Sequence, residues 1–145
     1  MHPGKPGSFA LPTLLICGLA AADPRPADTG VEDPHVDYML HCQGCHLPDG
    51  AGSTGLVPGL RSSVGELAGS AEGRDYLLRV PGSSQSRLSD ERLAALYNWI
   101  INTWNAESRP KDFRPFTAEE VQAARRHPLI DAAAKRKQVV GMQTD

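Results

Sequence analysis

The sequence predicts an all-α fold, a small helical domain with extra helices at its C-terminal end. Three observations carry this. After Ser89, the residues Leu93, Leu96, Tyr97, Ile100, Ile101 and Trp104 recur at spacings of three and one, which lays an apolar stripe along one face of a helix. Further along, Thr117 and Glu120 have the spacing of a capping box, the mark of a second helix start. Strand signals are few, and the chain contains no internal repeat.

The N-terminus comes first. Lys5, the mostly apolar run FALPTLLICGLA and Ala20-Ala21-Ala22 before Asp23 read as a secretory signal peptide over residues 1–22, cleaved near Ala22. The run is too short for a retained spanning helix, and Pro12 interrupts it. An uncleaved anchor is the alternative, and would be the chain's only link to a membrane. Cys17 suggests a lipid anchor, but bulky Ile16 precedes it where a small residue is expected. Export implies the periplasm, and leaves about 123 residues, enough for one small domain with its own core. The chain has 15 Lys and Arg against 17 Asp and Glu, a net charge of −2 that becomes −3 when Lys5 is lost. Nothing in that balance points to a nucleic-acid partner.

Residues 23–34, DPRPADTGVEDP, hold three prolines and read as a flexible lead-in up to residue 33. A first helix is expected from about Pro34 through Cys45, with Asp33 as cap and Pro34 in an early position. Residues 47–62 form a loop. SSVGELAGSAEGRDYLLRV, residues 62–80, suggests two short helices broken around Gly69 to Gly73, the second ended by Pro81-Gly82. The helix after Ser89 has Asp90 and Glu91 in its first turn, where they suit the helix dipole. RPKDFRPF, residues 109–116, is an extended linker with two prolines. A helix then runs from Thr117 to about Arg126 and stops before Pro128. The last segment, LIDAAAKRKQVV, is weakly helical, and its charges read as a solvated face. Residues 34–105 thus make the core domain and residues 106–145 a linker with a helical extension.

Chemistry is concentrated in HCQGCHLPDG, residues 41–50. A C-x-x-C pair serves as a redox dithiol, a zinc knuckle or a haem attachment site. Zinc commonly takes four ligands from two separated pairs, and His35, His41 and His127 do not make a second knuckle. A redox dithiol follows a strand and opens a helix in a βαβ unit, which EDPHVDYMLH does not resemble. A structural disulfide here would close a tiny, poorly stabilising loop. Haem attachment uses all three residues: Cys42 and Cys45 add to the two vinyl groups, and His46 reaches the iron as proximal ligand.

At this point the chain resembles the class I c-type cytochromes, small mono-haem proteins, over about residues 32–105. Tyr38 fits the aromatic carried ahead of the family's haem motif, PDGAG resembles its glycine-rich loop, and VPGL, residues 57–60, resembles its Pro-x-Leu. LSDERLAALYNWI resembles the last core helix, which crosses the first. The resemblance implies a helical domain wrapped around one covalently bound haem c. In it the Pro58 carbonyl accepts the His46 ring proton and Leu60 packs the haem. Tyr97 belongs with the residues around the haem, and it, Trp99 and Trp104 read as core aromatics rather than electron relays. The implied function is a periplasmic electron carrier, not an enzyme, working between redox partners: a dehydrogenase or another cytochrome as donor, an oxidase or carrier as acceptor.

One departure stands out. The family's distal methionine belongs in the loop VPGSSQSRLSDE, residues 80–91, and there is no methionine between Met39 and Met142. His127, on the extension, is the candidate distal ligand. Met39 reads as a core residue, Met142 lies far along the tail, His35 and His41 share the proximal helix, and Gln85 or a loop serine would bind weakly. An iron left five-coordinate or water-bound is the other reading, and it opens an alternative function as a gas or peroxide sensor or weak peroxidase. A third reading makes the domain a haem subunit docked into a complex through residues 108–145.

Overall fold

A computed structural model describes residues 33–61 and 63–141, together with residues 1, 2 and 4. The rest of the expected signal peptide and lead-in lies outside the described residues, as does Met142. The described residues form seven helices and no strand, so the fold is all-α; Ser53 and Val57 make an isolated bridge.

Helix α1, Pro34–His41, starts as expected: the Asp33 carboxylate accepts the His35 N–H at 2.9 Å and Pro34 takes the first position. It ends four residues earlier than the sequence suggests. The Tyr38 carbonyl accepts the N–H of both Cys42 (2.9 Å) and Gln43 (3.0 Å), and the Cys45 N–H turns back to the Cys42 carbonyl at 3.1 Å. The hydrogen-bond ladder therefore breaks into tight turns, and the cysteine motif sits on those turns rather than on the helix. The His46 N–H, donating to the Cys42 carbonyl at 2.9 Å, fixes the position of His46 relative to Cys42.

The loop that follows folds back on itself. The Leu47 N–H donates to the Ala51 carbonyl (2.8 Å) and the Leu60 N–H to the Gly50 carbonyl (2.7 Å). Gly50 has φ 79°, and a Cβ there would lie 2.7 Å from the Trp104 ring, so only glycine suits the position. Gly52 passes so close to the Val57 carbonyl that a Cβ would come within 2.0 Å of its oxygen.

Helices α2, Ser63–Leu67, and α3, Ala71–Arg79, are separated by residues 68–70 alone. Ser70 caps α3 by accepting the Gly73 N–H at 3.0 Å, which puts Gly73 inside the helix and not in the break. Nor does Pro81-Gly82 act only as a stop, because Pro81 opens a further short helix, α4, Pro81–Ser84. Helix α5, Asp90–Trp104, is capped by Ser89 and buries the expected stripe apart from Trp104, which is half-buried against the core. Its Arg92 donates to both Asp37 oxygens in a buried ion pair that ties it to α1. Tyr38 and Trp104 meet edge to face at 4.9 Å beside that crossing.

Helix α6, Ala118–Arg125, has the expected capping box, and it packs on α5 and α3. Phe116 and Val121 enter the common core, each worth about 1.5–3 kcal/mol by burial alone. Arg74 of α3 stands 3.9 Å over the Phe116 ring, donates to both Glu120 oxygens at 3.0 and 2.7 Å, and reaches the Arg114 carbonyl at 2.8 Å. Helix α7, Ala132–Gly141, lies against α3 with Val139 buried.

Candidate functional site

A cavity of about 500 Å³ opens between the 42–60 segment, α3, residues 80–88 and α5. Its walls are largely aliphatic, with Val64, Leu77, Leu93, Leu96 and Ile100 supplying much of the surface. That size and lining suit a cofactor with a broad apolar body.

Cys42, Cys45 and His46 all reach this cavity. Both thiols are free, Cys42 half-buried and Cys45 exposed. Burial pushes the Cys42 thiol up to about 11, helped by the nearby Asp37 and Cys45 charges. A reactive redox dithiol needs the opposite shift, so the redox reading loses support. Zinc loses it too: among the described residues no three His, Cys, Asp or Glu side chains cluster to hold a metal.

His46 is held differently. Burial lowers its pKa, against a smaller upward pull from the Pro58 carbonyl. The ring is therefore neutral at pH 7, with a lone pair free to bind a metal. Its Nδ1 is buried and makes no hydrogen bond of normal geometry, and the facing acceptor is the Pro58 carbonyl. A ring with one buried nitrogen turned toward a carbonyl leaves the other nitrogen for the cavity.

Pro58, Leu60 and Tyr97 line the same space. The Tyr97 hydroxyl donates to the Leu77 carbonyl at 2.5 Å and shares a 2.5 Å hydrogen bond with Ser83 Oγ. Burial pushes its pKa up, so Tyr97 stays a neutral, fixed piece of wall. The structure does not bring His127 to the cavity: it is exposed after α6, and its carbonyl accepts from Arg79 Nε at 2.6 Å. His35 stacks on Trp99 at 5.3 Å, Met39 is 45 % exposed, and Gln85 is exposed. None of these three lines the cavity, whereas His41, Ser83 and Ser86 do.

Sequence reasoning missed Tyr76, Ala132 and Arg136, which also line the cavity. Ala132, Arg136 and Val139 are spaced four and three apart, a faint inner face hidden by the surrounding charges.

Two curated proteins resemble the chain closely enough to decide its family. A protein named cytochrome c-552 from Thermus thermophilus is 35% identical over 146 aligned positions, covering 87% of this chain and 93% of that protein. A second cytochrome c-552 from Thermus thermophilus is 35% identical over 118 positions, covering 68% of this chain and 90% of that protein. The chain belongs to the class I c-type cytochromes. No family model matches it.

The site of this cytochrome fits the haem that the family carries. Two thiols stand at the edge of an apolar cavity, and a neutral imidazole beside them keeps its second nitrogen turned to a backbone carbonyl. No helix among the described residues is long and apolar enough to cross a membrane.

Proposed function

We propose that this chain is a mono-haem electron carrier of the periplasm, passing single electrons from a dehydrogenase or another cytochrome to an oxidase or further carrier. The observation that carries the reading is the convergence of Cys42, Cys45 and His46 on one apolar cavity. When bound, the haem iron supplies the one-electron couple. Cys42 and Cys45 would hold the haem as thioethers, each S–H adding across a vinyl double bond, the sulfur to one carbon and the hydrogen to the other, with no oxidant consumed. With the haem bound, the Pro58 carbonyl would orient His46 through its buried ring nitrogen, and Leu60 would pack the ring face. The aliphatic wall keeps water from much of this space. Export would follow from residues 1–22, and an uncleaved leader would be its membrane contact.

A second reading rests on the far wall. Among the described residues, the 80–86 segment turns Ser83 and Ser86 to the cavity and brings no methionine, lysine or histidine. An iron without a strong protein ligand on that side would bind carbon monoxide, nitric oxide or peroxide, which suits a sensor or weak peroxidase. The optical spectrum of the reduced, matured full chain, with and without carbon monoxide, tests both. A c-type spectrum unchanged by carbon monoxide supports the carrier; a shifted spectrum moves ligand binding ahead. A protein that takes up no haem would end both readings.

A further inference from the structure

We infer that Arg136 and Tyr76 together hold a carboxylate of the haem, making α7 a strap across the cofactor's edge. The inference rests on the reading of the cavity as a haem c site. Arg136 and Tyr76 line the cavity, and both also line an adjoining groove of about 660 Å³ between the 52–59 loop and α7. They therefore stand where the cavity meets the groove. Arg136 is half-buried, yet makes no hydrogen bond or ion pair among the described residues. Tyr76 is 5 % exposed, and its hydroxyl likewise has no hydrogen-bond partner there. No Asp or Glu lines either space.

Two donors at the edge of an aliphatic cavity, with no carboxylate lining it, suit an anion brought in by the ligand. A haem has that charge distribution, an apolar ring with two carboxylates on one edge. The placement of Arg136 follows from helix geometry. Ala132 and Arg136 fall on the face of α7 toward the cavity, and the next residue on that face, Val139, is buried at 1 % exposure and anchors the helix. Lys137 lines the groove alone and lends a second positive charge at longer range.

The haem itself reports on this contact. A guanidinium beside the haem edge disfavours the extra positive charge of ferric iron, so removing it stabilises the ferric form and lowers the midpoint potential. The test compares wild type, Arg136→Gln, Arg136→Lys and Tyr76→Phe. Each is made as the full chain in cells that mature c-type haem, and titrated spectroelectrochemically in a non-coordinating buffer and in phosphate. The expected result is a lowered potential in Arg136→Gln, a smaller drop in Tyr76→Phe and near wild-type behaviour in Arg136→Lys, in both buffers alike. An Arg136→Gln potential equal to wild type overturns the inference while the c-type spectrum still upholds the site. A shift confined to phosphate also overturns it, because it makes Arg136 a site for free anions. Wild type without a haem spectrum would remove the site reading as well, and that is seen before any titration.

Discussion

The turn that carries Cys42, Cys45 and His46 and the wall formed by residues 77–97 enclose the same cavity, but they are held by contacts of different range. The turn is fixed locally: the His46 N–H reaches the Cys42 carbonyl four residues back, and the Leu60 N–H reaches the Gly50 carbonyl ten back. The other wall is fixed from a distance. Tyr97 of α5 donates to the Leu77 carbonyl of α3 and meets Ser83 of α4, so three helices must be in place before that hydroxyl is satisfied. The turn presents two free thiols and a neutral imidazole to the cavity, and the wall presents hydroxyls already engaged with one another. A cavity built this way has one side with uncommitted groups and one side whose polar contacts are already made.

The largest break in this comparison comes from Asp37. It lies beneath the turn at 1 % exposure, and the Arg92 guanidinium of α5 donates to both its oxygens. Asp37→Ala leaves a mostly buried cation without its carboxylate, a loss of about 3–5 kcal/mol. Guanidinium unfolding of the holoprotein should show the midpoint falling accordingly, and a change below 1 kcal/mol would mean that the α1–α5 crossing does not depend on the pair. Tyr97→Phe acts on the opposite wall and should cost less, about 1–3 kcal/mol, since it leaves the Leu77 carbonyl and Ser83 Oγ short of a partner. The haem spectrum of Tyr97→Phe should keep its c-type form, because the attachment turn is untouched. Were that variant to lose covalent haem, the two sides could not be treated as separately built.

The same division explains what the sequence let one read. The convergence of Cys42, Cys45, His46 and Pro58 on one cavity is legible because they lie within seventeen residues. The α5 stripe and the Thr117 capping box were legible for the same reason, as short-range patterns. The end of α1 was not: Pro34 and Asp33 mark its start, but nothing in HCQGC shows that the Tyr38 carbonyl will accept two N–H groups and tighten the chain. Pro81 has the sequence signature of a stop and is also a start, since proline suits the first turn of a helix as well as the residue beyond one. Arg136 escaped because the basic segment around it has the composition of a solvated face. Only the packing of α7 on α3 turns Arg136 toward the cavity. His127 had the right chemistry for a ligand, but its position depended on the same unread packing.

The smallest effect tests the long-range side alone. Glu120 of α6 receives two hydrogen bonds from Arg74 on α3, the helix that also carries Tyr76 and Leu77. Burial pushes the Glu120 carboxyl up, but the Arg74 hydrogen bonds and the Thr117 N–H outweigh it and hold the group below its ordinary value of 4.5. A carboxylate depressed in the folded state adds stability above its unfolded value and loses it as pH falls through the folded value. The loss therefore belongs below about pH 4.5 and not near neutrality. Because the Glu120 side chain is 35% exposed, solvent screens the pair and the contribution stays below about 1 kcal/mol. Glu120→Gln removes the titrating group, so its denaturation midpoint should fall less between pH 6 and pH 3 than that of wild type. All other carboxylates titrate in both proteins, so the difference between the two slopes isolates this contact. Parallel slopes would mean that α6 is held on α3 by Phe116 and Val121 in the core, with the ion pair contributing nothing measurable.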